Sequence, residues 1–228
     1  MTISIVERVR SPTAIQKEAT LVQFGPTVYF EANVRIPRIY TAQPLTQGLR
    51  LELEEGPSHH LARVLRMQPG RELVLFNGTG GEFEAVIDEV GKRAVTVQVG
   101  EFNAHNRESP LRLELAIGLS RGERMDWVLQ KATELGVTHI RPLLTERTEV
   151  KLGTERLEKR LNHWRQVIIS ACEQCQRNLL PDLAPPQKLE SWLQDNNSQL
   201  RLVLHHRDSQ SLPENETPES VALLIGPE

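Results

Sequence analysis

Residues 111–151, LRLELAIGLSRGERMDWVLQKATELGVTHIRPLLTERTEVK, decide the fold. Leu111, Leu113, Leu115, Ile117 and Leu119 alternate at a period of two, which predicts a strand. Ser120-Arg121-Gly122-Glu123 has the spacing of a capping box, in which a Ser oxygen and a Glu carboxylate satisfy each other's free backbone N–H groups. From Met125 the period changes. Met125, Val128, Leu129, Ala132 and Leu135 fall on one face of a helix, and Gly136 suits the left-handed position that stops it. Val137–Leu144 returns as a strand interrupted by Pro142. Two strands joined by a helix of this length form a parallel crossover. That places 144-LTERTEVK-151 at the carboxyl end of a strand, where open α/β sheets hold ligands.

The remainder of the C-terminal part continues the alternation. Thr154 can cap a long helix whose stripe is Leu157, Leu161, Trp164, Ile168, Ala171 and Cys175. Its last turn, 173-EQCQRN-178, gathers Glu173, Gln174 and Arg177. A cation there suits the negative end of the helix dipole, which is a structural reason for Arg177. Cys172 and Cys175 lie on the apolar stripe and lack a second Cys pair or a suitably spaced His pair, so they are expected to be free packing residues and not zinc ligands. Residues 179–187 are a Pro-rich connection, 188-KLESWLQDN-196 a short helix, 200-LRLVLHH-206 a strand, 207–220 a polar loop and 221-VALLIGPE-228 a buried-type strand. His205 and His206 point to opposite faces and do not make a chelating pair. From residue 111 onward the expected class is α/β with a mainly parallel sheet.

Upstream, residues 35–103 have a different texture. Short strand-like segments (49–53, 72–76, 82–90 and 94–99) are separated by Pro69-Gly70, Asn77-Gly78, Gly80-Gly81 and Gly91-Lys92, the pattern of a small barrel. One short helix fits 58–67, with Ser58 as cap. Arg35, Arg38, Arg63 and Arg66 are candidates for phosphate contact, against the plainer reading of solvated surface arginines. Residues 104–110 read as a linker, and residues 1–34 as an extension without sustained period. The chain of 228 residues carries a net charge of −3, which neither demands nor excludes nucleic acid. It contains no membrane-spanning run and no signal-peptide core, and two cysteines fit a reducing cytoplasm.

Particular strings go further than the periodicity. They include 35-RIPRIY-40, 59-HHLARVLRM-67, 75-LFNGTGGEFEA-85, 107-RESPLRL-113, 120-SRGERMDWVLQKATELGV-137, 142-PLLTERTEVK-151, 171-ACEQCQRN-178, 202-LVLHHR-207 and 223-LLIGPE-228. In this order the chain resembles the ribosomal small-subunit RNA (uridine-N3) methyltransferases, the RsmE family of the SPOUT, or α/β-knot, class. The resemblance implies a PUA-like RNA-binding barrel over 35–103 and a knotted Rossmann-like domain over 111–228. It implies S-adenosylmethionine as cofactor, the small-subunit 16S rRNA as substrate, and a homodimer whose sites are each completed by the partner. Leu204, His205, Ile225, Gly226, Pro227 and Glu228 correspond to cofactor loops. Glu173 as proton acceptor or orienting group, and Arg177 as stabiliser of a uracil anion, are the candidate catalytic residues. The family continues past Gly-Pro-Glu with further glycines, a helix, a strand and a closing helix. A chain ending at Glu228 is therefore expected to hold the cofactor poorly, and an RNA-binding remnant is the alternative reading. An α/β protein binding another nucleotide is a third.

Overall fold

The computed structural model describes residues 36–120, 122–146, 154–204 and 217–226. The expectations for residues 1–34, Arg35, the 147–151 loop, His205 and the Pro227–Glu228 turn lie outside these residues.

The first unit is a five-stranded sheet. Its strands are β1 (Arg38–Tyr40), β2 (Arg50–Glu52), β3 (Glu72–Phe76), β4 (Glu82–Val90) and β5 (Val95–Asn103), in spatial order β1-β3-β4-β5-β2. Alternation sorts the side chains. Ala85 and Ile87 of β4 and Val95, Val97 and Val99 of β5 point inward with Leu73, Leu75, Ile39 and Leu61 to form a closed apolar core. The helix of this unit starts earlier than Ser58. Helix α1 (Glu55–His59) runs into a π-type turn over His60–Val64, closed by Leu65 N–H donating to His60 O. Ser58 is not a cap. Its buried hydroxyl donates to Leu53 O (2.9 Å) and accepts from Val95 N–H (3.0 Å), which pins the helix to two strand ends.

The second unit is built on β6 (Arg112–Gly118), α2 (Glu123–Glu134), β7 (His139–Leu144) and α3 (Thr154–Cys175). It continues with β8 (Asp182–Leu183), β9 (Gln187–Lys188), α4 (Leu189–Asp195), β10 (Leu200–Val203) and β11 (Ser220–Ile225). Every pairing in its sheet is parallel, and the order is β10-β11-β6-β7-β8, with β9 also on β7. Pro142 does not interrupt β7. It interrupts the neighbour instead: β8 pairs residues 139–140 and β9 pairs residues 143–144. Proline has no N–H to give a ladder, so the adjoining strand breaks beside it. Helices α2 and α3 cover one face, where Leu115, Ile117, Ile140, Met125, Leu129, Trp164 and Ile168 pack with Phe76 of the first unit. Trp192 of α4 covers Ala116, Leu143 and Ala222 on the other. There Trp192 Nε1–H donates to the buried Glu114 carboxylate (2.7 Å).

Two helix ends differ from the sequence reading. The N-cap of α2 is Gly122, not Ser120, and no side chain caps it. Its φ of +59° and ψ of −142° suit a residue without Cβ, so the turn is made by backbone geometry instead of a capping box. At the other end Gly136 does take the left-handed conformation, at φ +89°. The helix closes one residue before Leu135, however, and that side chain is 79% exposed rather than on the core face. In α3, Leu161, Trp164, Ile168 and Ala171 are buried as the stripe predicts, but Cys172 is the deeply buried thiol and Cys175 is only half-buried. Gln176, at φ +68°, ends the helix. Both cysteines are free.

Candidate functional site

Parallel strands deliver their carboxyl ends to one edge. β11 lies between β10 and β6, so Leu204, Ile225–Gly226 and Leu119–Ser120 are gathered there as neighbours. Leu204 N–H donates to Leu224 O (3.0 Å), which fixes the β10 end against β11. Ile225 is level with Ile117 of β6. Chain order turns back at this point: β6 is followed in space by β7 on one side and by the later strands on the other. Such switch points open a crevice at the carboxyl ends. Leu204 is 56% exposed, Val203 is also exposed on the opposite side of the strand, and among the described residues, its chain neighbours aside, no atom lies within 4 Å of where a Gly226 Cβ would stand. The edge thus presents an apolar surface beside backbone that a ligand can approach closely.

The proposed catalytic pair is elsewhere. α3 starts from the carboxyl edge and returns, so Glu173 and Arg177 at its far end lie by the amino end of β7. With a rise of about 3.3 Å per residue, the length of that strand separates them from Leu204 and Gly226 by roughly 20 Å. Within one chain the structure does not bring the two sets together.

The Arg177 guanidinium is buried, and four of its five N–H groups have acceptors. Nε and Nη2 donate to the two Glu108 oxygens (3.0 and 2.6 Å), and Nη1 donates to Thr133 O (2.8 Å) and Val137 O (2.9 Å). It serves a helix dipole, as a cation at a C-terminus can, but that of α2 instead of its own helix. Glu173 Oε1 accepts the Tyr40 N–H (3.0 Å), tying α3 to β1. Burial pushes its carboxyl above the usual range, partly countered by that hydrogen bond and more weakly by His60 and Arg38.

Arg38 is a correction to the phosphate-contact set. It is buried under the ring of Phe76, 5.2 Å from the centroid, and donates to Glu82 (Nη1–Oε2 2.6 Å) and to Asn178. Glu82 also receives Arg107 (3.2 Å) and Asn178 Nδ2 (3.1 Å). Glu82, Glu108 and Asn178 were not singled out from the sequence, yet they form the polar seam between the two units. Burial alone would raise the Glu82 carboxyl, but the hydrogen bonds from Arg38, Asn178 and Arg107 outweigh it and hold the group below the usual carboxylate range. Their only signal in the sequence was membership of the resemblance strings. Arg63 and Arg66 remain exposed, as phosphate contacts require. Among the described residues, no group of His, Cys, Asp and Glu is arranged to hold a metal, and no helix is long and apolar enough to cross a membrane.

Comparison with known proteins bears on the fold and the family. Residues 107–228 match the family model of an RNA methyltransferase domain, and residues 54–100 match that of an RNA methyltransferase PUA domain. The ribosomal RNA small subunit methyltransferase E of Buchnera aphidicola subsp. Schizaphis graminum is 33% identical, over 85% of this chain and 80% of its own. The Bacillus subtilis protein of that name is 29% identical, over 78% and 76%. A Legionella pneumophila protein described as a methyltransferase and solved with bound SAM superposes with a TM-score of 0.82 at 43% identity, over 86% of this chain and 81% of that one. The small subunit methyltransferase E of Neisseria gonorrhoeae, bound to S-adenosylmethionine, superposes with a TM-score of 0.79 at 33% identity, over 84% and 80%. Two units, one parallel sheet with a switch point and these matches lead to one statement: the chain belongs to the ribosomal RNA small subunit methyltransferase E family.

Proposed function

We propose that the chain transfers a methyl group from S-adenosylmethionine to N3 of a uridine in 16S rRNA of the small ribosomal subunit, in the cytoplasm. The observation that carries this reading is the adjacency of Leu204 and Ile225–Gly226 at the switch point of a parallel sheet. Bound there, the cofactor supplies a methyl group on a sulfonium centre. The exposed Leu204 side chain offers an apolar contact and Gly226 admits close approach; His205, Pro227 and Glu228 are the remaining residues that the resemblance assigns to the cofactor.

Uracil must give up its N3 proton, and a nearby cation lowers the cost of the resulting anion. Arg177 is held by Glu108 and two carbonyls, so its part is to position the α2–β7 corner. The distance between Glu173 and the carboxyl edge of its own sheet supports a homodimer, in which the end of α3 serves a site on a second copy. The exposed Arg63 and Arg66 are the proposed phosphate contacts of the β unit, together with Arg35 upstream. Incubation with small ribosomal subunits and cofactor tritiated in the methyl group tests the reading. Label appearing in 16S rRNA as N3-methyluridine supports it. Cofactor binding with no label in any RNA overturns it, as would label in protein only.

A further inference from the structure

The β unit carries an open groove of about 920 Å³ between α1 and the β4–β5 turn. Its walls carry opposite charges. Arg63 lies on the helix side, and Lys92 and Arg93 lie on the turn; all three are exposed. Glu52 and Glu55 stand across the helix start. None of these five side chains has a hydrogen bond or ion pair among the described residues, apart from the backbone carbonyl of Glu52, which accepts Gln43 Nε2–H. A third acid, Glu54, is already engaged: its carboxylate accepts from Thr41 Oγ1 (2.7 Å) and Ala42 N–H (2.9 Å). The floor is fixed by the Ser58 hydroxyl and by Gly91 N–H donating to Ala94 O (2.9 Å), which tightens the turn that presents Lys92 and Arg93.

Cations and carboxylates that share one groove without pairing suit a ligand that is itself bipolar. A nucleotide is one. Its phosphate takes cations, and the amino group of a base donates to a carboxylate, as cytosine N4–H does to Glu. A uracil presents O4 at that position and would be repelled. We propose that this groove seats one unstacked RNA nucleotide whose base carries an amino group. Its phosphate lies toward Arg63, Lys92 and Arg93, and its base edge lies toward Glu52 and Glu55. The proposal rests on the reading above only in taking RNA as the ligand. The nucleotide it selects is not the uridine that is methylated, so the site reads sequence beside the target.

Fluorescence anisotropy with 5′-labelled oligocytidylate and oligouridylate decamers tests it on the full chain, with cofactor binding followed in parallel by calorimetry. The expected result is oligocytidylate bound about fivefold tighter or more. Lys92→Ala with Arg93→Ala should weaken both oligomers about tenfold and flatten the salt dependence, because fewer counterions are released. Glu52→Gln with Glu55→Gln should remove the preference while retaining oligouridylate affinity. These residues are exposed, and unchanged thermal midpoints confirm folding. Equal affinity of the unmodified chain for both oligomers overturns the proposal, as does a preference that survives the double Gln change. No binding of either decamer while methyl transfer to small ribosomal subunits persists sinks the groove and spares the methyl-transfer reading; a preference for oligocytidylate without methyl transfer does the reverse.

Discussion

Arg177 meets Glu108 side-on, with Nη2 2.6 Å from Oε2 and Nε 3.0 Å from Oε1, while its remaining amino group closes the carbonyl end of α2. One side chain thereby joins the end of α3, the inter-unit segment and the start of β7. Removing a member of a buried pair strands its partner, at a cost of about 3–5 kcal/mol. Arg177→Ala should lose that much in urea unfolding. Arg177→Lys should lose part of it, because an ammonium cannot make the two-pronged contact. A positioning role predicts that transfer by the Lys variant falls only in step with its stability. A hundredfold loss of kcat with unchanged unfolding would show instead that Arg177 touches the uracil.

Glu82 sets an acid limit. Its carboxyl binds a proton less readily in the folded protein than in the unfolded chain, where the ordinary value is 4.5. Its stabilisation is therefore complete above pH 4.5 and is lost as pH falls through the lowered native value. Glu82→Gln should be less stable than the parent at neutral pH, and the difference should shrink on acidification. A constant difference down to about pH 3 would remove Glu82 from the seam's acid response.

Glu173 has the opposite sign. Burial favours its protonated form, so its contribution is full below pH 4.5 and declines as pH rises through the raised native value. A Gln keeps an oxygen for Tyr40 N–H without the charge. Glu173→Gln should therefore gain stability relative to the parent between about pH 5 and pH 8, whereas Glu173→Ala should lose about 1 kcal/mol for the missing acceptor. Urea midpoints that move in parallel for parent and Gln variant across that range would contradict this.

Burial pushes the Cys172 thiol up to about 12, leaving almost no thiolate at neutral pH. Disulfide reagents should modify Cys175 first and reach Cys172 only on unfolding, and Cys172→Ala should cost about 1 kcal/mol or more in packing. Cys172 reacting as fast as Cys175 in the native protein would contradict the buried placement.

Arg66 holds φ at +51°, a conformation that costs a residue with a Cβ about 1 kcal/mol. Arg66→Gly should relieve this and raise the unfolding midpoint while weakening RNA binding. If the Gly variant binds RNA as tightly as the parent at every salt concentration, Arg66 is not a phosphate contact.

The strands and helices were legible because they repeat at short range. The alternation of 111–119 and the 3.6-residue stripe of 157–171 each involve neighbours in sequence; the stripe gives the buried face of α3, whereas β6 is buried on both faces, Glu114 and Ala116 included, because it sits inside the sheet and α4 covers its second side. The ends were less legible. Ser58 and Ser120 have the composition of caps, but the first is drawn into the core by Leu53 and Val95, and the second is bypassed by the backbone of Gly122. The inter-unit seam was not legible at all. Arg38 finds Asn178 at a separation of 140 residues, and Arg177 finds Glu108 at 69. A charged residue that will be buried by such a partner looks, in isolation, like a solvated one. The site is intermediate: strand ends could be located from periodicity, but their gathering depended on the strand order.

That order has a consequence for how the chain is made. β11 follows β10 in synthesis but lies between β10 and β6 in the sheet. Until residues 220–225 have left the ribosome, β6 and β10 each keep an unpaired edge with nothing to bridge them. Pairings this distant form slowly, and open edges recruit other chains meanwhile. The nascent polypeptide is therefore most vulnerable to aggregation in the interval between β10 and β11. Slowing translation there should lower soluble yield, and a chaperone that shields strand edges should restore it.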